Sequence, residues 1–551
     1  MKKTHSKTVA AKPLSRVAII PFILLVPLIC FCFSLKSING SRRHLVPVFD
    51  EVANLDLARD FKDRGSPIQV VTDYFRGRIK EDNRHPLYPM ILSGSMKYLP
   101  EDFTEAKMLN QLVGLALIVS AFILSTWLWG IGVGCLSALF LGISPIMAYL
   151  SNQATADLLF AYFYFASLAI LMKFSGCSWA WLVYGVTCGL SYLTKGNGHF
   201  LLIPPVILGL WQHKQKVFKK PDLYLLFLGF ALVSSFLIVR NLSVSHNPFH
   251  NVNTKVFWLD SWTDYYLLSS GPDWDRVGLS WYLSHHSFSQ IFLRLMQGIQ
   301  ATGKRLLLSM GVGPNRYLVL SGWVMLGLAV FGLVVKWRDR AREQTVVVGV
   351  TGILFFLLFC WYGQGAGADV RFVFPVAASL LPFSSIGVIR LYEILRKRLA
   401  KLPSPRMTVA IGGFLVASAA VILERDALGV NPRRLWYRPA EWQQTTSWIR
   451  ERLKDQEFLQ NNWSDFSMWD CCRDRRRNYP FNVSAEVLRN YVMKSGVKFI
   501  LVDQRFVADD PFKEKYGPLD QYGPTTFLGW PRRYHDDQMP SLFVVYSEET
   551  P

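Results

Sequence analysis

The chain has no CxxC pair, no His/Cys cluster at metal-ligand spacing, no Walker phosphate loop, no internal repeat and no low-complexity linker. The first two absences leave no basis in the sequence for a thiol-redox or zinc site. The third argues against coupling to ATP hydrolysis, and the fourth removes the mark of a transporter built from two repeated halves. Acidic side chains are also scarce: 40 Asp and Glu stand against 60 Lys and Arg, a formal charge of +20. In a soluble protein that excess would point to nucleic acid. Here much of it lies in short basic clusters between apolar runs, the pattern of membrane loops, so no nucleic-acid partner is expected. The remainder suits anionic lipid head groups or a phosphate-bearing substrate. The eight cysteines are few for a disulfide framework. Cys30, Cys32, Cys135, Cys177, Cys188 and Cys360 sit in or beside apolar runs as packing residues, and the adjacent Cys471 and Cys472 carry no assigned role.

What the chain has in abundance is apolar sequence, 51% hydrophobic residues gathered into long runs. Runs of about 17–22 apolar residues cross a hydrocarbon core. They are expected near 17–36, 111–129, 131–150, 157–174, 178–194, 199–212, 222–240, 317–336, 345–362, 371–390 and 407–423. The expected fold is therefore mainly α, a polytopic membrane protein of about eleven transmembrane helices. The first run follows Lys2, Lys3, Lys7, Lys12 and Arg16. It is long for a signal-peptide core and lacks a small-residue cleavage site, so it reads as a retained signal-anchor helix.

Sidedness follows from Lys and Arg. The basic residues 1–16 belong in the cytoplasm, and alternation places the loops 173–178, 212–221, 336–344 and 396–406 there too. Three of these are strongly basic: HKQKVFKK, KWRDRARE and LRKRLAKLPSPR. The segments 37–110, 241–304 and 424–551 then lie outside. The middle one holds amphipathic patches, WLDSWTDYYLL and HHSFSQIFLRLMQGI, suited to a bilayer surface. The division is a transmembrane domain, 1–423, and a small extra-cytoplasmic α/β domain, 424–551. In the latter EWQQTTSWIRERL reads as an amphipathic helix, and KFILVD and SLFVVYS read as buried strands.

Under this topology Asp50, Glu51, Asp157, Lys195, Arg240, Asn241 and Arg371 all fall at outer helix ends. Singly, each has an ordinary explanation: solvated acids, or basic residues snorkelling to the interface. Outer basic residues nevertheless run against the positive-inside bias, and the shared level is the signal. The Asn-x-Ser triplets at Asn241, Asn462 and Asn482, the pair His285-His286 and the basic cluster CCRDRRRN carry no comparable weight.

The ordered pieces FDEVANLDLARDF, HPLYPMIL, SPIMAYLSNQATADLLFAYFYFASLAIL, YLTKGNG, RNLSVSHNPF and DVRFVFPVAASLL resemble the GT-C superfamily of membrane glycosyltransferases. The nearest branch is that of the protein O-mannosyltransferases and aminoarabinose transferases, with the bacterial core-polysaccharide enzymes of the same domain. The resemblance covers 46–391. It departs at His85-Pro86-Leu87, where one proline stands in place of two. It implies a polyprenyl-phosphate-linked sugar donor, an acceptor that is a glycan, lipid or protein, membrane lipids around the site, and residence in a bacterial inner membrane. It implies no definite cofactor and leaves a divalent metal open.

The resemblance also implies roles: Asp50, with Glu51 and Asp157, as the catalytic acids, and Lys195, Arg371 and Arg240 against the donor phosphate. His85, Tyr88 and Asn241 would contact substrate. The chemistry agrees. A polyprenyl phosphate leaves readily once its charge is neutralised, and an acceptor hydroxyl needs a carboxylate to take its proton. The like charge of Glu51 is expected to raise the proton affinity of one member of the Asp50–Glu51 pair. The rival reading, favoured less by the one-sided charges, is a carrier or flippase of a lipid-linked saccharide without catalysis; a polysaccharide polymerase or ligase shares the substrate class.

Overall fold

A computed structural model of the chain describes residues 16–41, 50–96, 102–261, 264–265, 268, 274–313, 317–339, 341–398, 404–424, 451, 458–460, 476–478, 484–503, 519–520, 523–535 and 543–547. The chain runs through helices α1 (Arg16–Ser41), α2 (Asp50–Asp63), α3 (Pro67–Phe75), α4 (Leu87–Ser95), α5 (Asp102–Trp129), α6 (Ile131–Gly142) and α7 (Pro145–Ser151). It continues through α8 (Asp157–Phe174), α9 (Ser178–Thr194), α10 (Ile203–His213), α11 (Pro221–Ser245), α12 (Asn253–Val256), α13 (Leu279–His285) and α14 (Phe288–Met310). The last long helices are α15 (Leu318–Arg338), α16 (Arg342–Ala366), α17 (Val370–Arg398) and α18 (Pro405–Leu423).

Among the described residues seven helices are long and apolar enough to span a bilayer, α1, α5, α8, α11, α15, α16 and α17. The other four expected spans also contain helix, and local sequence explains their shape. The run near 131–150 is two helices bent by 62°, because Pro145 cannot continue α6 and Ser144 caps the next start by accepting from the Met147 N–H. The run near 199–212 begins as a 3-10 turn, Gly196–Leu202, and becomes α-helical only at Ile203, just before Pro204-Pro205. The helices α9 and α18 are short apolar segments of 17 and 19 residues.

Helix packing relies on glycine. A side chain on Gly185 of α9 would strike the Leu226 carbonyl of α11, and one on Gly229 would strike the Leu182 carbonyl in return. The two backbones therefore cross in direct contact, the small-residue packing of membrane helices. Gly332 of α15 and Gly387 of α17 make the same reciprocal approach to Phe383 and Leu328. The helix α17 is the most enclosed span, with 78% of its apolar window buried against 28% for α5. It is the axis of the bundle, and Arg371 stands at its first turn.

Between α1 and α5, helices α2 and α4 bury Val52, Leu55, Tyr88 and Leu92 in a satellite core with Phe103. The patch HHSFSQIFLRLMQGI forms most of α14, entered through a Ser287–Gln290 capping box. Arg294 of α14 donates to the Trp361 carbonyl near the end of α16, and Ser309 donates to the Val370 carbonyl at the start of α17. Those two α14 residues are about 22 Å apart along a helix, so α14 runs across the ends of the spans. Its free side shows Phe288, Phe292, Leu293 and Met296.

The C-terminal region contains a six-stranded sheet of order β2-β1-β3-β8-β7-β6, built from β1 (Phe458–Gln460), β2 (Arg476–Asn478), β3 (Phe499–Asp503), β6 (Thr526–Phe527), β7 (Trp530–His535) and β8 (Phe543–Ser547). The short pair β4 (Leu519–Asp520) and β5 (Gly523–Pro524) lies apart. The expected strands KFILVD and SLFVVYS are β3 and β8, antiparallel neighbours, and a helix α19 (Ala485–Ser495) precedes β3. Asn462, Asn482 and Cys471-Cys472 lie outside the described residues, as do the expected helix EWQQTTSWIRERL apart from Glu451, most of the basic cluster beside them and residues 1–15.

Candidate active site

Four helix ends meet at one level. Asp50 opens α2, Asp157 opens α8, Lys195 follows the last residue of α9, and Arg371 is the second residue of α17. Anions at helix starts and a cation at a helix end sit with the helix dipole. Arg371, a cation at a helix start, sits against it and is compensated by carboxylates on three sides. Its Nη1 lies 2.6 Å from Asp50 Oδ2 and 3.8 Å from Asp157 Oδ2, and its Nε lies 3.4 Å from Asp369 Oδ2. Lys195 Nζ pairs with Asp157 Oδ1. The ring of Phe372 underlies both cations, 4.8 Å from Lys195 Nζ and 5.2 Å from Arg371 Cζ. It is held by Phe359 at 5.3 Å and Tyr362 at 5.6 Å.

A further cation completes the cluster. Arg84 Nη2 lies 2.7 Å from Asp50 Oδ1, so each carboxylate oxygen of Asp50 faces its own guanidinium. Burial works against the charge of Asp50, but Arg84 and then Arg371 outweigh it and hold the carboxyl well below the usual carboxylate range. This corrects the expectation of a raised proton affinity within the Asp50–Glu51 pair as it concerns Asp50. Glu51 points elsewhere. Buried, it accepts the Ala154 N–H at 2.8 Å and so ties α2 to the turn before Asp157. Asn54 and Asn110 hold the same turn at the Ala154 and Thr155 carbonyls, at 3.2 and 3.0 Å. The Glu51 carboxylate thereby braces the turn that leads into Asp157.

The remaining expected residues stand apart from the ionic cluster, buried in the packing around it. Tyr88 is wholly buried in the α2–α4 core. Burial, followed by the charges of Glu51 and Asp157, pushes its phenol well above its usual value. His85 is buried, with Nε2 3.1 Å from Asn251 Nδ2 and its ring 5.1 Å from that of Tyr192. Desolvation first, then the His199 and Arg240 charges, lower its pKa to about 3, so the imidazole is neutral. Arg240 donates to the Ile79 carbonyl and to Asn241 Oδ1, both at 3.0 Å. The Asn241 amide donates to the Pro248 and His250 carbonyls, each at 3.2 Å. Among the described contacts neither Arg240 nor Asn241 reaches Asp50, Asp157, Lys195 or Arg371.

Arg84, Asp369, Phe372, Tyr362 and Asn253 were not singled out from the sequence. The only local signal for Arg84 was its place directly before His85-Pro86. Among the described residues no three His, Cys, Asp or Glu side chains gather as metal ligands.

The ordered helix-end cluster and the bundle around it define a membrane protein of the GT-C fold. Within that class, residues 83–239, which include Arg84, His85, Asp157 and Lys195, match the family model described as dolichyl-phosphate-mannose-protein mannosyltransferase. Three solved structures share the fold. The oligosaccharyltransferase of Archaeoglobus fulgidus in complex with zinc and sulfate has a TM-score of 0.52 at 11% identity, over 94% of this chain and 73% of that one. The archaeal oligosaccharyltransferase AglB of Archaeoglobus fulgidus, in complex with an inhibitory peptide and a dolichol-phosphate, has 0.51 at 10% identity, over 97% and 74%. ArnT from Cupriavidus metallidurans bound to undecaprenyl phosphate has 0.50 at 13% identity, over 97% and 99%. No curated protein sequence matches the chain significantly.

Proposed function

We propose that the protein is a glycosyltransferase that moves a sugar from a polyprenyl-phosphate donor to an acceptor at the outer face of a bacterial inner membrane, with inversion at the anomeric carbon. The observation that carries this reading is the convergence of Asp50, Asp157, Lys195 and Arg371 from four helix ends. Lipid phosphates bound to two proteins of the same fold support it. Residues 1–423 form the transmembrane catalytic domain and 424–551 an extra-cytoplasmic domain, with the N-terminus in the cytoplasm.

Asp50 accepts the acceptor's proton. The acceptor oxygen bonds to the anomeric carbon as the carbon–oxygen bond to phosphate breaks, and the electron pair leaves with the polyprenyl phosphate. The hydroxyl becomes acidic only as its oxygen forms the new bond, so an ionised carboxylate of modest basicity suffices. Arg371 and Lys195 each present one face to the Phe372 ring. They exchange their carboxylate partners for the donor phosphate, and that exchange frees Asp50 Oδ2. Asp157 keeps the two cations in place before donor arrives. His85, Tyr88, Arg240 and Asn241, all buried, brace the segments that carry the site.

Comparing envelope glycans and glycoproteins by mass spectrometry, with and without the protein, tests the reading. A missing sugar that returns with the wild-type chain and not with Asp50→Asn supports it. An unchanged glycan profile, with a lipid-linked saccharide stranded on the cytoplasmic side, would favour the carrier instead.

A further inference from the structure

Arg84 has no role in the reaction as described so far, yet the fold takes trouble over where it stands. The N–H groups of Asn83 and Arg84 both donate to Glu81 Oε1, at 2.8 and 2.7 Å. The Asn83 carbonyl accepts from Asn251 Nδ2 at 3.0 Å, and its Oδ1 accepts from Asn253 Nδ2 at 2.7 Å. Asn253 Nδ2 also donates to Asn251 Oδ1 at 2.8 Å, and its Oδ1 accepts from the Tyr362 hydroxyl at 3.0 Å. The Val252 N–H donates to the Asp82 carbonyl at 3.1 Å. Tyr362 belongs to α16, whose end turns directly into Arg371. A closed circuit results: Tyr362, Asn253, Asn83, Arg84, Asp50, Arg371 and back along the chain to α16.

We propose that Arg84 is the positioning residue that fixes the orientation of the Asp50 carboxylate, and that the Asn83–Asn251–Asn253–Tyr362 clasp fixes Arg84. The inference rests on the reading of Asp50 as the base. Its physical content is the inequality of the two guanidiniums. Arg371 must turn toward the donor phosphate, so it cannot hold Asp50 through the reaction. Arg84, bound at the other oxygen, keeps the carboxylate from following Arg371 or rotating toward Lys195. The clasp suits the task because an amide both donates and accepts. Asn253 gives its N–H groups to two oxygens and takes the Tyr362 hydroxyl on a third atom, whereas a carboxylate there would face Asn83 Oδ1 and Asn251 Oδ1 with like partial charge.

The test uses the full chain in proteoliposomes. Transfer from a polyprenyl-phosphate hexose is followed together with infrared titration of the carboxylate band that disappears in Asp50→Asn. The charged and titratable groups facing Asp50 are Arg84, Arg371, Lys195, Asp157 and Tyr362, with Glu51 beside it and Asp369 acting through Arg371. Arg84→Gln is expected to lower kcat about 10²-fold, the scale of a misplaced reacting group, while the donor KM stays within about 3-fold. It should also move the Asp50 titration and the acid limb of the rate profile upward, because one of the cations that depress them is gone. Arg84→Lys restores the charge and most of the titration. Asn253→Ala, a change outside the ion cluster, moves the titration in the same direction by less, and stands in if Arg84→Gln does not fold. Wild-type kcat and titration in both Arg84→Gln and Asn253→Ala, with Asp50→Asn inactive, overturn the proposal and leave the base in place. A raised donor KM with unchanged kcat gives Arg84 to the donor phosphate and also overturns it. Transfer retained by Asp50→Asn removes the reading on which it rests.

Discussion

Asp50 and Arg371 stand 321 positions apart in the chain and meet at 2.6 Å. Their ion pair joins the first helix after the first span to the most enclosed span of the bundle, and it makes the state of Asp50 depend on what Arg371 binds.

Replacing Asp50 by Asn separates a structural role from a chemical one. Asn serves almost as well as Asp at a helix start, so expression and thermal unfolding in detergent should stay close to wild type. Transfer should fall to background, because a carboxamide takes no proton. Transfer at more than about a tenth of the wild-type rate would move the base elsewhere. Glu51→Gln is expected to act differently, lowering activity partly and through Asp157, since its carboxylate holds the turn at Ala154.

Lys195→Gln and Arg371→Gln should each weaken use of the donor by about 2–4 kcal/mol in transition-state stabilisation, the scale of a lost oxyanion donor. Arg371→Gln should also release Asp50 from one of its two guanidiniums. Its pH–rate profile will therefore gain a higher acid limb, while that of Lys195→Gln shifts less. Equal profiles in both variants would separate Arg371 from Asp50 in function.

Sidedness is checked with single cysteines in a background where Cys177, Cys471 and Cys472 are replaced by Ser, because native Cys177 is exposed and the other two fall in the expected outer domain. Ser66, between α2 and α3, and Gln215, in the basic turn after α10, are both exposed. They are expected to label from opposite sides, Ser66 from outside. Labelling of both from one side would sink the topology and, with it, the outer placement of the site.

His85 gives a pH dependence with a defined sign. Its pKa is about 3 in the folded protein and about 6.5 when unfolded, so between those values the unfolded chain binds the extra proton. Stability is therefore lost as pH falls, by about 2 kcal/mol from pH 7 to pH 5. His85→Gln should flatten that slope of detergent-measured Tm, and an unaltered slope would assign the acid sensitivity to other groups.

The sequence made the spans legible because apolar length and basic loops are local properties. It also picked out Asp50, Asp157, Lys195 and Arg371, because a charge beside a helix end is conspicuous against an apolar background. It could not separate these from Arg240, which has the same place at a helix end but is directed to the Ile79 carbonyl and Asn241. That difference is one of side-chain direction, set by how α11 packs against the segment before His85. Arg84 escaped notice for the opposite reason. It lies in a polar loop with Asp82, Asn83 and His85, where one more charge stands out from nothing. The bend at Gly142–Pro145 was written in the sequence, but a count of apolar residues passes over it.

Because the ion cluster draws on positions 50, 157, 195 and 371, no contiguous piece of the polypeptide contains it. During synthesis both carboxylates and Lys195 enter the membrane well before α17 exists, and until then Asp50 lacks the partner that reaches it from the far end of the bundle. The cluster is assembled only when α17 threads in among helices already placed. A chain that stops before α17 contains six of the seven long apolar helices and lacks the guanidinium that closes the cluster.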